Sequence, residues 1–180
     1  MVYGWRLGQY VLKALADLKP MASSSLATTQ LLLEQPLNHD DESLAEYAAE
    51  TCRLRSEFNR KTAEAYCRPY GITSVYHANA ILNRLERPKT DTMELNAVRI
   101  GDLAFVTMPY EVFCAHGVYI KTHSPFPTTM IFSCANQGLN YVPTAEAYEY
   151  GCYESFTSYF DKGSGEVAAE ALTAMLNELK

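Results

Sequence analysis

The 180-residue chain has no apolar run approaching the ~18–20 residues that a helix needs to cross a membrane. It also lacks an excess of positive charge: 15 Lys and Arg stand against 21 Asp and Glu, a net charge of −6. A surface for nucleic-acid phosphates normally needs a basic face, so that class of partner is disfavoured. The basic residues Arg53, Arg55, Arg60 and Lys61 read instead as the solvated side of a helix. Cysteine is present in odd number and at wide spacing, as Cys52, Cys67, Cys114, Cys134 and Cys152. That excludes a CxxC metal pattern and gives no disulfide framework, so most of the five are expected to be small core hydrophobes. His39, His77, His116 and His123 form no HxH or HxxxH pair, so a metal site built from the chain's own histidines is not indicated. No GxSxG, P-loop or dinucleotide glycine pattern occurs, and there is no repeat or low-complexity tract. Val2–Leu18 carries Arg6 and Lys13 within its apolar pattern and no cleavage site, which is unlike a secretory signal. As it stands the chain reads as cytoplasmic, or as lacking its natural beginning.

What is there is an ordinary globular composition, 48% hydrophobic and 20% charged, in a length sufficient for one domain over residues 1–180. Helical spacing covers Gly4–Leu18, with Leu7, Val11, Ala14 and Leu18 in one stripe, and Pro20 closes it. The aromatic opening with Tyr3 and Trp5 predicts that this helix needs something to pack on. A short strand over Thr29–Leu37 and a long helix over Asp41–Cys67 follow. The inner stripe of that helix is read as Leu44, Tyr47, Thr51, Leu54, Phe58 and Ala65. A helix over Val75–Leu85 leads to a hairpin: an alternating strand Thr92–Ile100, a Gly101-Asp102 turn, and a continuous apolar run Leu103–Pro109. The alternating strand is expected nearer an edge and the continuous one central. Glu111–Thr122 has helical spacing and Met130–Ala135 is a second apolar run, giving a strand–helix–strand unit. Thr144 is positioned to cap a short helix to Tyr150, and Ser164 to cap a last helix over Gly165–Leu179. Continuous apolar strands suit a sheet covered on both faces, so the fold class is mixed α/β, a central sheet with helices packed around it.

Ligands in open α/β sheets bind outside the carboxyl ends of strands. Pro109-Tyr110-Glu111 and Asn136–Tyr141 each follow such an end, so both should face one site. Glu111, read as lying in a first helical turn, is a carboxylate suited to a metal or to a base's role; it equally suits a plain helix start. Tyr141 alone reads as packing and Asn136 as a turn residue.

The runs IGDLAFVTMPYEVF and SCANQGLNYVPTAEAYEYGCYES resemble the neutral (non-lysosomal) ceramidase family and its uncharacterised bacterial relatives. The family pattern is a strand, Pro-Gly-Glu, a helix, a strand, then Asn, four residues and Tyr, followed by Thr, Tyr and Tyr-Glu. The chain matches it at Gly101-Asp102, Pro109, Glu111, Asn136, Tyr141, Thr144, Tyr148 and Tyr153-Glu154, over about a third of its length. The resemblance implies a zinc amidase that cleaves N-acyl bonds, with zinc held by two His, one Glu and one Tyr and a serine taking part. By position, Glu111 corresponds to the glutamate ligand and Tyr141 to the tyrosine. Tyr110 replaces the family's glycine, and with Asn136, Thr144 and Tyr153 it would shape the site. The two histidines and the serine belong to a part of the family domain upstream of Met1. The chain is therefore expected to be the C-terminal portion of a ceramidase-type catalytic domain. If active, it would act on an N-acyl small molecule or lipid-like substrate, together with an upstream segment or complementing chain. Relatives are often secreted. A second reading is a non-catalytic remnant that self-associates through exposed surface. A third is a small hydrolase with Cys114 or Cys134 as nucleophile beside a histidine, which the core-like setting of both cysteines disfavours.

Overall fold

A computed structural model describes residues 2–136 and 138–180. Alternation governs its sheet. Strand β2 (Thr90–Ile100) puts Met93, Leu95 and Ala97 on one face, and all three are wholly buried. It pairs antiparallel with β1 (Leu26–Pro36) along its full length and with β3 (Leu103–Thr107) across the predicted turn. Gly101 supplies that turn with φ +56°, and a Cβ there would strike the Ser23 carbonyl oxygen. β3 pairs parallel with β5 (Thr128–Phe132), giving the order β1-β2-β3-β5. The alternating strand is thus interior rather than near an edge. β1 is longer than its short apolar core suggests, and it occupies the flank that the hairpin leaves open.

One face of the sheet, the inner one, is closed by α8 (Ser164–Glu178) and α5 (Cys114–His123). α8 presents Ala168, Ala169, Leu172, Met175 and Leu176, all buried against Met93, Leu95 and Val106 of the strands in one cluster. Each such leucine contributes about 1.5–3 kcal/mol by leaving water. Gly165 lets α8 approach α5, since a Cβ on it would collide with the His116 imidazole. Ser164 does not cap this helix. It is the first helical residue, and its buried hydroxyl has no partner among the described residues.

The opposite, outer face is not closed. Register places Leu32, Val98, Phe105, Met130 and Phe132 on it. Leu32, Met130 and Phe132 are 63%, 43% and 43% exposed. The continuous apolar runs of β3 and β5 therefore have a covered side and an uncovered one, rather than cover on both.

A second cluster lies between β1 and β2 in sequence. The expected single helix over 41–67 is a 3-10 turn (Glu42–Leu44), α2 (Ala45–Glu57) and α3 (Arg60–Cys67). Asn59 makes the break, its side chain accepting the Thr62 N–H as the cap of α3. The break rotates the stripe: Ala48, Thr51, Ala63 and Cys67 are buried, while Phe58 is 64% exposed and Ala65 faces solvent. α4 (Val75–Leu85) has the predicted bounds and completes this cluster through Ala78 and Ile81. Buried Arg84 ties it to the rest of the chain, donating to the Asp41 carboxylate at 2.7 Å and to the Phe156 and Ser158 carbonyls at 2.9 and 3.0 Å.

α1 (Val2–Leu15) stands apart, with no buried residue. No helix of the described residues is long and apolar enough to cross a membrane. Cysteine behaves unlike the expectation: Cys67 is buried, Cys52 and Cys152 are half-buried, and Cys114 and Cys134 are exposed.

Candidate metal-ligand pair at the strand ends

Glu111 is not in a helix. Glu111 and Val112 form a two-residue strand, β4, and α5 begins only at Cys114 after an extended Phe113. A helix dipole therefore does not hold the Glu111 carboxylate. What fixes the residue is a parallel partner strand, β6 (Tyr141–Val142), with Glu111 directly opposite Tyr141. The Glu111 N–H donates to the Asn140 carbonyl at 2.8 Å and the Phe113 N–H to the Val142 carbonyl at 3.2 Å. The two segments read as following strand ends do meet, and the residues that meet are Glu111 and Tyr141.

The far side of β6 is held by the segment after α7 (Tyr153–Thr157). The Ser158 hydroxyl donates to the Tyr141 carbonyl at 3.0 Å, and the Asn140 amide donates to the Thr157 carbonyl at 3.0 Å. Ser158 is the same residue whose carbonyl accepts from Arg84, so the buried guanidinium supports the Tyr141 backbone through one intermediate residue. Tyr141 packs edge-on against Tyr153 at 5.8 Å between ring centroids, and Tyr153 edge-on against Tyr76 at 6.0 Å. The Arg60 guanidinium lies 5.3 Å over the Tyr76 ring. Tyr76 and Arg60 join this wall from α4 and α3, and no spacing in the sequence announces them. The Tyr141 phenol titrates above its ordinary value, first because of partial burial and next because of the Glu111 carboxylate beside it. At neutral pH Tyr141 is a neutral phenol next to an exposed acid.

The other predicted site residues divide. Tyr153 is in the wall just described. Thr144 is the cap of α6 (Ala145–Tyr150), its hydroxyl accepting the Ala147 N–H at 3.2 Å. Tyr110 lies in the bend just before β4 and is buried on another side of the chain from Glu111. It is 2% exposed, packs edge-on to Phe160 at 5.1 Å, and burial pushes its phenol up to about 12. Asn136 has φ +70° and donates from its amide to Glu94 at 3.0 Å. Tyr110 and Asn136 both line a cavity of about 400 Å³ with Arg87, Asp91, Glu94 and Tyr159, and neither Glu111 nor Tyr141 borders it.

Glu111 offers zinc a carboxylate oxygen and Tyr141 a phenol oxygen that would bind only on losing its proton, whereas catalytic zinc takes three protein ligands. Among the described residues no three His, Cys, Asp or Glu side chains gather within reach of one ion. Each histidine is engaged elsewhere: His77 with Asp41, His39 with the Pro88 carbonyl, His116 with the Pro143 carbonyl and His123 with the Tyr119 carbonyl. The carboxylate fits zinc directly, the phenol only once deprotonated, and the pair falls short in number. Neither exposed thiol, Cys114 or Cys134, has a hydrogen bond to a histidine among the described residues, so the cysteine-nucleophile reading has no base.

No protein-family model and no curated protein matches the chain. Solved structures do. The neutral ceramidase from Pseudomonas aeruginosa aligns over 86% of this chain with a TM-score of 0.51 and 16% identity. A ceramidase complexed with C2 aligns over 51% of the chain with a TM-score of 0.44 and 21% identity, covering 15% of its own length. The first likeness establishes a mixed α/β fold like that of neutral ceramidase; the second adds no weight. The chain spans 28% of the length of the Pseudomonas protein.

Proposed function

We propose that this chain is the part of a ceramidase-like amide hydrolase that contributes Glu111 and Tyr141 to a zinc site, the remaining ligands coming from outside these 180 residues. The reading is carried by one observation: the register of the short β4–β6 pair sets Glu111 opposite Tyr141, the two positions that match the ceramidase pattern. It is supported by the ceramidase-like fold over most of the chain. Zinc bound there would polarise a carbonyl and lower the pKa of a bound water. The chain's own part is to hold a carboxyl and a phenol side by side, with Tyr153 packed against the phenol and Tyr110 buried against Phe160. The substrate class consistent with this is an N-acyl compound, lipid-like or small.

Calorimetric zinc titration of the purified chain, with and without imidazole as a surrogate for the absent ligands, tests this. The expected result is one weak site per chain that imidazole tightens at least tenfold, and that Glu111→Gln and Tyr141→Phe each abolish. Zinc binding indifferent to both substitutions, or no binding with imidazole present, overturns the reading.

A further inference from the structure

The cavity of about 400 Å³ beside Tyr110 lies where β2 begins and β3 has just ended, and the proposed zinc chemistry makes no use of it. Its volume is that of a small-molecule site, which typically measures ~300–1,000 Å³.

The charge of its lining does not balance. Arg87, Asp91 and Glu94 are its residues that are ionised at neutral pH. Arg87 and Asp91 offset one another: the guanidinium stands 3.5 Å from the Asp91 carboxylate and 4.1 Å over the Tyr159 ring. Glu94 has no cationic partner among the described residues; what holds it is a pair of amides. Asn96 and Asn136 each donate to its Oε1 at 3.0 Å. Its Oε2 accepts no hydrogen bond among the described residues. Asn96 is fixed in turn, accepting from Gln30 at 3.0 Å and donating to the Thr107 hydroxyl at 3.2 Å. Asn136 reaches Glu94 from a left-handed backbone, φ +70°, which is uncommon outside glycine and marks a position fixed by its surroundings. Two amides thus set a carboxylate in place and leave one oxygen, and the whole negative charge, without a match.

A second group in the cavity is also unmatched. Tyr110 is buried and lines the cavity, yet its phenol oxygen makes no hydrogen bond among the described residues. Burial keeps that phenol protonated at neutral pH, so it presents an uncharged oxygen able to accept an N–H. Apolar surface adjoins both groups. Register sets Leu32 directly opposite Glu94, and Leu139 and Pro109 continue the lining; Leu32 and Leu139 are both exposed.

These features select among ligand classes. An anion would be repelled by Glu94, and a neutral molecule would leave its charge unmatched. A metal ion finds too few ligands, since no three His, Cys, Asp or Glu side chains gather among the described residues. A compound with one ammonium group and a short apolar chain meets the carboxylate with charge, the phenol oxygen with an N–H, and the leucines with its chain. We infer that this cavity binds a small primary ammonium compound, its nitrogen on Glu94 and its chain against Leu32 and Leu139. The inference is independent of any zinc at Glu111.

The test is calorimetric titration of the purified chain with n-hexylammonium in the presence of EDTA, so that zinc plays no part. The expected result is one saturable site per chain, with hexanol and hexanoate, which share the chain length and lack the positive charge, binding at least tenfold more weakly. Glu94→Gln is expected to weaken hexylammonium binding at least tenfold. Leu139→Lys, at an exposed position, places a competing ammonium in the cavity and is expected to do the same with Glu94 intact. Glu34→Gln, on a neighbouring exposed carboxylate outside the cavity, is expected to leave binding unchanged. Circular dichroism of each variant confirms that any lost binding is not lost fold. No saturable binding overturns the inference, as do hexanol binding that equals hexylammonium binding and binding that persists undiminished in Glu94→Gln or Leu139→Lys. Binding that Glu34→Gln weakens as much as Glu94→Gln also overturns it, since the amine would then answer to general surface charge.

Discussion

The inner and outer faces of the sheet are made by the same four strands and have opposite fates. On the inner face Met93, Leu95, Ala97, Ala104 and Val106 are wholly buried beneath α8. On the outer face, one residue along each strand, Leu32, Met130 and Phe132 remain in contact with solvent. An ordinary one-sided sheet would be polar there. This one carries two apolar patches, Leu32 on one side and Phe105, Met130 and Phe132 on the other, with the hydrogen-bonded Gln30, Asn96 and Thr107 between them. The inner face teaches what holds the fold, and the outer face shows which apolar side chains the fold leaves in water.

The widest contrast is in stability. Leu172→Ala, beneath the inner face, is expected to cost about 2–5 kcal/mol, since it opens a cavity in a closed core. Leu32→Ala, on the outer face, is expected to cost within about 0.5 kcal/mol. Urea denaturation of both variants checks this, and equal losses would erase the distinction between the faces. A smaller effect concerns the Arg84–Asp41–His77 group that ties the helical cluster to the β6 side of the molecule. The hydrogen bond from His77, and then the charge of Arg84, hold the Asp41 carboxyl below its ordinary 3.8. A depressed folded-state value means stability present above about pH 4 and lost as pH falls through the folded pKa. Asp41→Asn should remove that acid-limb loss and cost about 1.5–3 kcal/mol at neutral pH, the worth of a hydrogen bond to a charged group. Thermal melts from pH 2 to pH 7 read both.

Much of the inner face was legible in the sequence. The alternation of Met93, Leu95 and Ala97 announces its side of β2, the bounds of α4 follow from its flanking breakers, and Thr144 caps where a threonine before Ala145 should. The convergence of the segments at Glu111 and Tyr141 was legible too, from strand ends and the ceramidase-like spacing. What could not be read depends on partners distant along the chain. β4 and β6 are two residues each, too short for any periodicity, and exist only because they pair with one another. That pairing turned a predicted first-turn glutamate into a strand residue. β2 is interior because β1, far upstream, adds itself to the hairpin. The break at Asn59 was hidden because a cap inside a polar helical pattern looks like one more surface residue. The exposure of Cys114 and Cys134 follows from where α5 starts and from a left-handed backbone at Cys134, φ +54°, neither of which composition reveals.

The smallest effect and the most direct test lie at the site itself. Glu111 and Tyr141 act as one unit only if each senses the other's charge. NMR titration of chain labelled with ¹³C at the tyrosine Cζ follows the Tyr141 phenol by itself, with Tyr141→Phe giving the assignment. In the wild type the phenol is expected to titrate above the ordinary tyrosine value, and Glu111→Gln to lower it part of the way, because burial still raises it while the lost carboxylate charge makes the phenolate easier to form. A Tyr141 titration that Glu111→Gln leaves unmoved would contradict the account: the two side chains would then share a register and not a site.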